Sequence, residues 1–126
     1  MLTPVTEIDA KLEFSQITPK FFRLLKQFQP FGPGNNNPIF LTENVSDGGN
    51  GRKVGAGGVH MKLDLIDEKQ PFHQIPAIAF NMADYFEYIK AGNPFDICYS
   101  IVENYYRGNS TLQLRIKDIK EREEFI

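Results

Sequence analysis

Five short stretches in which apolar and polar residues alternate, with one helical pattern between the third and fourth, predict a mainly β protein. That order of elements is the layout of an OB-fold, a five-stranded Greek-key barrel, here with an added N-terminal capping helix. The segment Pro30–Pro38 sets where the barrel begins. Its three prolines and two glycines cannot occupy a helix or a central strand, because proline lacks the amide donor and glycine loses too much backbone entropy. It reads as a stiff hinge, with a helical pattern before it and almost only strands after it. A split β-α-β sheet would need a helix after the first strand, where this chain carries glycines, and an SH3-like barrel would lack the helical pattern at 83–90.

Ile8 to Ser15 alternates and predicts a short strand. Thr18-Pro19 then opens a helix, a hydroxyl cap followed by proline at the first helical position. Phe21, Phe22, Leu24, Leu25 and Phe28 recur at helical spacing, a stripe that either caps the barrel or faces a neighbouring domain; the helix is predicted to stop at Pro30. Ile39–Val45 is the first barrel strand, followed by the turn-rich Ser46–Gly51, a brief strand at Arg52–Val54 and a second glycine cluster at Gly55–Gly58. Val59 to Ile66 is the second, with Val59, Met61, Leu63 and Leu65 on one face and His60, Lys62 and Asp64 on the other.

Gln74–Phe80 is the third strand, with Pro76 suiting an edge or a strand start. Ala83–Lys90 is a short helix, closed by Gly92 and Pro94. Phe95, Ile97, Tyr99 and Ile101 mark the fourth strand, Tyr105–Ser110 a connecting loop, and Leu112, Leu114 and Ile116 the fifth strand. The charge run Lys120–Glu124 reads as a solvated, frayed helix. In domain terms, 1–37 is a strand, helix and hinge packing on the barrel, 38–120 the barrel, and 121–126 a charged tail.

At 126 residues, 41% hydrophobic and 24% charged, the chain suits one globular domain with a modest core. No apolar run approaches the roughly 18–20 residues that span a bilayer, and the N-terminus lacks the basic and apolar regions of a signal peptide. The single Cys98 excludes an internal disulfide, so a cytoplasmic protein without a membrane partner is expected. A net charge of −2 argues against a globally basic nucleic-acid binder. It leaves a local basic face open, since screening confines charge effects to about 8 Å at physiological salt.

No catalytic or metal site is predicted. His60 and His73 are the two histidines, and no His-x-His or Cys-x-x-Cys pattern accompanies them. Asp64 and Asp67 point to opposite faces of a strand, and each reads as a surface charge. Gly55–Gly58 is no phosphate loop, because a strand and not a helix follows it. Binding is the better prospect. Gly48–Leu63 and Asn104–Lys117 contain no acid, and they fall on the strands and loops with which this barrel class holds oligonucleotides. Arg52, Lys53, His60, Lys62, Tyr105, Arg107, Gln113, Arg115 and Lys117 are the candidate nucleic-acid contacts. Cations would track phosphates and a ring would offer a stacking platform. Of Tyr105 and Tyr106, one is expected in the core and one outside.

Pro30–Asn35 followed by Pro38, His60-Met61-Lys62-Leu63, Ala77–Asn81, Asn104–Gly108, and Leu112-Gln113-Leu114 running to Lys117-Asp118-Ile119 occur in one order. Together they resemble the C-terminal domain of RecJ, the bacterial single-strand-specific exonuclease, over residues 8–120. Gln29, where the family favours glutamate, the longer glycine-rich turn before His60, and Asp64 depart from its pattern. The resemblance implies an OB-fold unit of an enzyme that degrades single-stranded DNA from the 5′ end in recombination and repair. It implies that the two-metal phosphoesterase chemistry, with Mn or Mg ions, belongs to preceding DHH and DHHA1 domains, whose Asp/His motifs this sequence lacks. The chain would then be an excised fragment starting at an artificial Met1, with no cofactor of its own. Single-stranded DNA, the DHH and DHHA1 domains and other repair proteins are the partners so implied. The rival reading is an interaction module docking on those domains or on a repair partner, suggested by the phenylalanine stripe and the acidic net charge. An oligosaccharide-binding barrel would be expected to carry tryptophan, of which there is none.

Overall fold

The computed structural model describes residues 8–27 and 37–122. The predicted hinge, apart from Asn37 and Pro38, lies outside the described residues, as do Phe28, Gln29 and tail residues 123–126. Seven strands are described: β1 (Ala10–Lys11), β2 (Phe40–Asp47), β3 (Arg52–Val54), β4 (His60–Asp67), β5 (Ile75–Ala79), β6 (Phe95–Tyr106) and β7 (Asn109–Glu121). With them are two helices, α1 (Pro19–Lys26) and α2 (Phe86–Lys90), the second led in by a 3₁₀ turn at Ala83–Tyr85.

The strands run β1-β2-β6-β7-β5-β4-β3, and a further pairing of β2 with β4 closes β2, β4, β5, β7 and β6 into a barrel. Its pairings are antiparallel except for β5 with β7. This is the OB-fold connectivity that the sequence predicts, with the helical segment between the third and fourth barrel strands. β1, parallel to β2, and β3, antiparallel to β4, are short additions.

Alternation fills the core. Met61, Leu63 and Leu65 of β4, Phe95, Ile97, Tyr99 and Ile101 of β6, and Leu114, Ile116 and Ile119 of β7 are buried. The period of two breaks once, between Ile116 and Ile119. Ile116 pairs with Tyr99 and Asp118 with Cys98, so Lys117 is the extra residue of a β-bulge.

Several expectations are corrected. Val59 precedes β4 and is exposed, not part of its buried face. The segment Tyr105–Ser110 is not a loop: both strands continue to a two-residue turn, Arg107 (φ 50°) and Gly108 (φ 80°), the left-handed geometry that matches strand twist in a tight hairpin. Lys120 and Glu121 are strand and not frayed helix, because they pair with Asp96 and Phe95. Of Ile8–Ser15 only Ala10–Lys11 is strand, and Phe14–Gln16 forms a 3₁₀ turn. The helix starts as predicted, with the Thr18 hydroxyl accepting the Phe21 N–H at 3.0 Å, but α1 ends at Lys26.

The N-terminal arm is built into the barrel. Leu12, Phe14, Ile17 and Phe22 join the core cluster, with Phe21 and Leu25 packed against it and the Phe21 ring edge-on to Phe40. Phe21, Phe22 and Leu25 of the stripe on α1 thus cap the barrel, while Leu24 is exposed. Asp67 is buried, against the expectation of a surface charge: its carboxylate accepts the Phe14 N–H at 3.0 Å and the Gln70 N–H at 2.8 Å. Inside, the Thr42 hydroxyl donates to the Leu12 carbonyl at 2.9 Å, so the Tyr99 hydroxyl, 2.7 Å away, is the donor to Thr42. Burial pushes the Tyr99 phenol far above its ordinary value. Replacing Asp67 by Ala strips a charged acceptor from two backbone donors and is expected to cost about 2–3 kcal/mol in urea unfolding; a loss below about 0.5 kcal/mol would show that the arm is held by apolar contact alone.

Candidate nucleic-acid interface

The strand registers assemble one row across five strands. Arg52 pairs with Lys62, Lys62 with Ile78, Ile78 with Arg115, and Arg115 with Ser100. Residues directly opposite one another share a face, so Arg52, Lys62 and Arg115 stand together on the outer side of the barrel. All three are exposed, whereas Ile78 between them is buried although it lies outside the core cluster. Its paired neighbours, Lys62 and Arg115, carry long aliphatic stems of the kind that cover apolar side chains.

One step along the same face lies Phe80, 44% exposed. The Arg115 guanidinium sits 5.3 Å from its ring centroid, and the His60 ring meets it edge-on at 5.2 Å. His60 is fixed by the Asn81 N–H, which donates to its Nδ1 at 2.9 Å and so leaves the proton of the neutral ring on Nε2. The loop before β4 passes so close that a Cβ on Gly55, whose φ is +84°, would fall 2.7 Å from His60 Cδ2. Glycine is what permits both the backbone angle and the approach. The preceding turn is pinned as well: the Asp47 carboxylate accepts the N–H groups of Gly49, Gly51 and Asp64, and Lys90 donates to the carbonyls of Gly49 and Gly51.

Carboxylates do not neutralise the row. Among the described residues, the four ion pairs engage Lys11, Lys26, Lys69 and Arg122. Asp64, half-buried, shares the outer face of β4 with Lys62. Past Ser100, the same side of the sheet turns acidic at Asp118 and Asp96, and burial together with these two carboxylates pushes the Cys98 thiol up.

Of the nine predicted contacts, Arg52, His60, Lys62, Gln113 and Arg115 share this face. Lys53 does not: it pairs with the buried Met61 and its ammonium lies 5.4 Å from the Phe86 ring centroid. Lys117 occupies the bulge, and Arg107 the hairpin turn. Tyr105 lies on the opposite face, where its hydroxyl donates to Glu103 at 2.6 Å. Neither Tyr105 nor Tyr106 is in the core; they are 70% and 69% exposed. Glu103 also accepts from Ser110 and pairs with Lys26 at 3.3 Å. The Ser110 and Tyr105 hydroxyls, and then Lys26, hold its carboxyl below the ordinary range, while Glu103 raises the Tyr105 phenol.

Phe80 and Tyr106 are not among the predicted contacts. The signal for Phe80 is the run Ile75-Pro76-Ala77-Ile78-Ala79-Phe80, in which the buried Ala77 and Ala79 give the inward parity and turn Phe80 outward. Among the described residues no group of three or more His, Cys, Asp or Glu side chains converges. No described helix is long and apolar enough to cross a membrane.

Residues 8–118 match the family described as RecJ OB domain. Two crystal structures of RecJ from Thermus thermophilus, in complex with Mn2+ and with Mg2+, are similar to this chain at 20% and 21% identity, with TM-scores of 0.58 and 0.57. The likeness covers 84% of this chain but only 14% and 15% of those chains, and it bears on the fold alone. No curated protein matches significantly.

The Glu103 cluster carries a pH dependence. A carboxyl depressed on folding contributes stability above its ordinary value of 4.5, and that contribution is lost as pH falls through the lower folded value. An NMR titration should place the Glu103 midpoint below 4.5, moving up towards it in Ser110→Ala; a midpoint at or above 4.5 in the unaltered chain would contradict the hydrogen bonding described.

Proposed function

The chain belongs to the RecJ OB domain family, and from that premise we propose that the outer face of β4, β5 and β7 binds single-stranded DNA. The observation that carries this reading is the alignment of Arg52, Lys62 and Arg115 on one face, with the exposed ring of Phe80 beside Arg115 and His60. Three cations without carboxylate partners among the described residues suit successive phosphates, and a half-exposed ring suits an unstacked base, which is how sequence-tolerant single-strand binders divide the work. His60 and Gln113 add hydrogen-bonding groups beside them. In this reading the unit grips substrate for a RecJ-like 5′-to-3′ exonuclease of recombination and repair. The metal-dependent hydrolysis, with Mn or Mg ions, belongs to the DHH and DHHA1 domains of the parent and not to this unit.

A second reading, docking on those domains or on a repair partner, rests on a groove that the α1 stripe helps to line. The groove, of about 490 Å³, is lined by Ile17, Phe22, His73, Ile75 and Leu112, and Phe72, next in the chain to His73, is 99% exposed. Binding of the catalytic domains without DNA affinity would select it.

Anisotropy titration of a labelled oligothymidylate between about 50 and 200 mM salt tests the first reading. Three phosphate contacts give a log–log salt slope of about −2, and Arg115→Ala should bring it to about −1.4. Phe80→Ala should weaken binding by about 1–3 kcal/mol. A salt-independent isotherm, no binding at millimolar protein, or an unchanged slope in Arg115→Ala would overturn the assignment.

A further inference from the structure

We propose that Tyr106, at the tip of the β6–β7 hairpin, is a second stacking point for the same strand, so that the ligand is an oligonucleotide long enough to reach from Phe80 to the tip. The proposal rests on the single-strand reading above and names the length class of its substrate.

Beyond the barrel no third strand pairs with the hairpin among the described residues. β2 pairs with β6 only from Phe95 to Tyr99, and β5 pairs with β7 only from Leu114 to Ile116. The intervening residues pair only with each other, without a register break from Tyr99 to Tyr106. Alternation therefore sorts them without ambiguity. Val102, Asn104, Tyr106, Thr111 and Gln113 share the face of Arg115, and Glu103, Tyr105 and Ser110 share the other.

The two faces differ in what they can hold. On the Arg115 side no residue of the hairpin is acidic, and Asn104 donates to the Gln113 side chain at 2.9 Å, an uncharged rung between the two ends. Tyr106 carries the Arg107 guanidinium 5.2 Å from its ring centroid, which leaves the opposite side of the ring for a base and places a cation for the adjoining phosphate. On the far side, the Tyr105 hydroxyl is committed to Glu103, whose charge repels phosphate. The turn adds an independent sign. Arg107 holds φ at 50°, a position where Asn or Asp followed by glycine is preferred and where an arginine is strained. Strain of this kind collects at positions used for binding.

Phe80 follows Ala79, which pairs with Ile116 opposite Tyr99, so it lies about level with Cys98, and Cys98 and Tyr106 are eight residues apart on β6, a span of about 27 Å. That is about eight nucleotides at the stacked rise of about 3.4 Å, and fewer when the strand is extended. The resulting footprint falls within the roughly 4–16 nucleotides that a barrel of this class covers.

The test compares oligothymidylates of roughly 4 and 12 nucleotides on the unaltered chain, Tyr106→Ala and Tyr105→Ala. Both tyrosines are exposed, so neither change disturbs the core. Tyr106→Ala should lose about fivefold or more on the longer strand and stay within about twofold on the shorter, while Tyr105→Ala matches the unaltered chain on both. Equal losses on both lengths, no loss on the longer strand, or a matching loss in Tyr105→Ala would overturn the proposal and leave the barrel-face reading standing. Failure of the unaltered chain to bind either strand would overturn both.

Discussion

The hydrogen-bonded register that sets Lys62 beside Ile78 and Ile78 beside Arg115 decides on which side of the barrel the cations lie. A slip of one residue would turn every side chain of a strand to the other face, burying Lys62 and exposing Met61 and Leu63. Core packing prevents that slip. Met61, Leu63 and Leu65 on β4, Ala77 and Ala79 on β5, and Leu114 and Ile116 on β7 are all buried, so each strand has one acceptable parity. The basic face is therefore a by-product of how the core is filled, and a change inside the barrel would be felt on its surface.

The same constraint explains how a chain of net charge −2 presents a basic face. Asp64 stays on the outer face of β4 beside Lys62, but several other acids are given structural work. Asp67 holds the N-terminal arm, Asp47 the glycine turn, Asp96 takes Arg122, and Glu43, Glu13 and Glu103 take lysines away from the Phe80 row. Among the described residues no buried side-chain polar atom lacks a partner, so the arm and the barrel interior make up one satisfied network.

Local chemistry was legible in the sequence wherever the deciding partners lie close in the chain. The Thr18-Pro19 helix start, the inward face of β4 from Met61 to Leu65, and the helical segment before β6 follow from spacing alone. Features set by distant partners were not. Asp67 is buried because of Phe14, 53 residues away, and nothing near it announces that bond. The β7 bulge at Lys117 shifts the parity between Ile116 and Ile119, so a strict alternation from Leu112 loses the end of the strand and leaves the tail looking helical. Arg107-Gly108 is not a favoured turn pair, so the sequence reads as a loop where two long strands meet. For the candidate site, the shared face of the cations on β3, β4 and β7 was legible, but the ring beside Arg115 was not, because Phe80 follows a strand whose inward parity is set by two alanines.

Chemical-shift mapping on an isotope-labelled chain, titrated with a short oligothymidylate, tests the central claim most directly. The account predicts that the largest perturbations gather on Lys62, Ile78, Phe80 and Arg115 and their strand neighbours. Perturbations gathered instead on α1 and the groove beside Phe72, or spread evenly around the barrel, would contradict it.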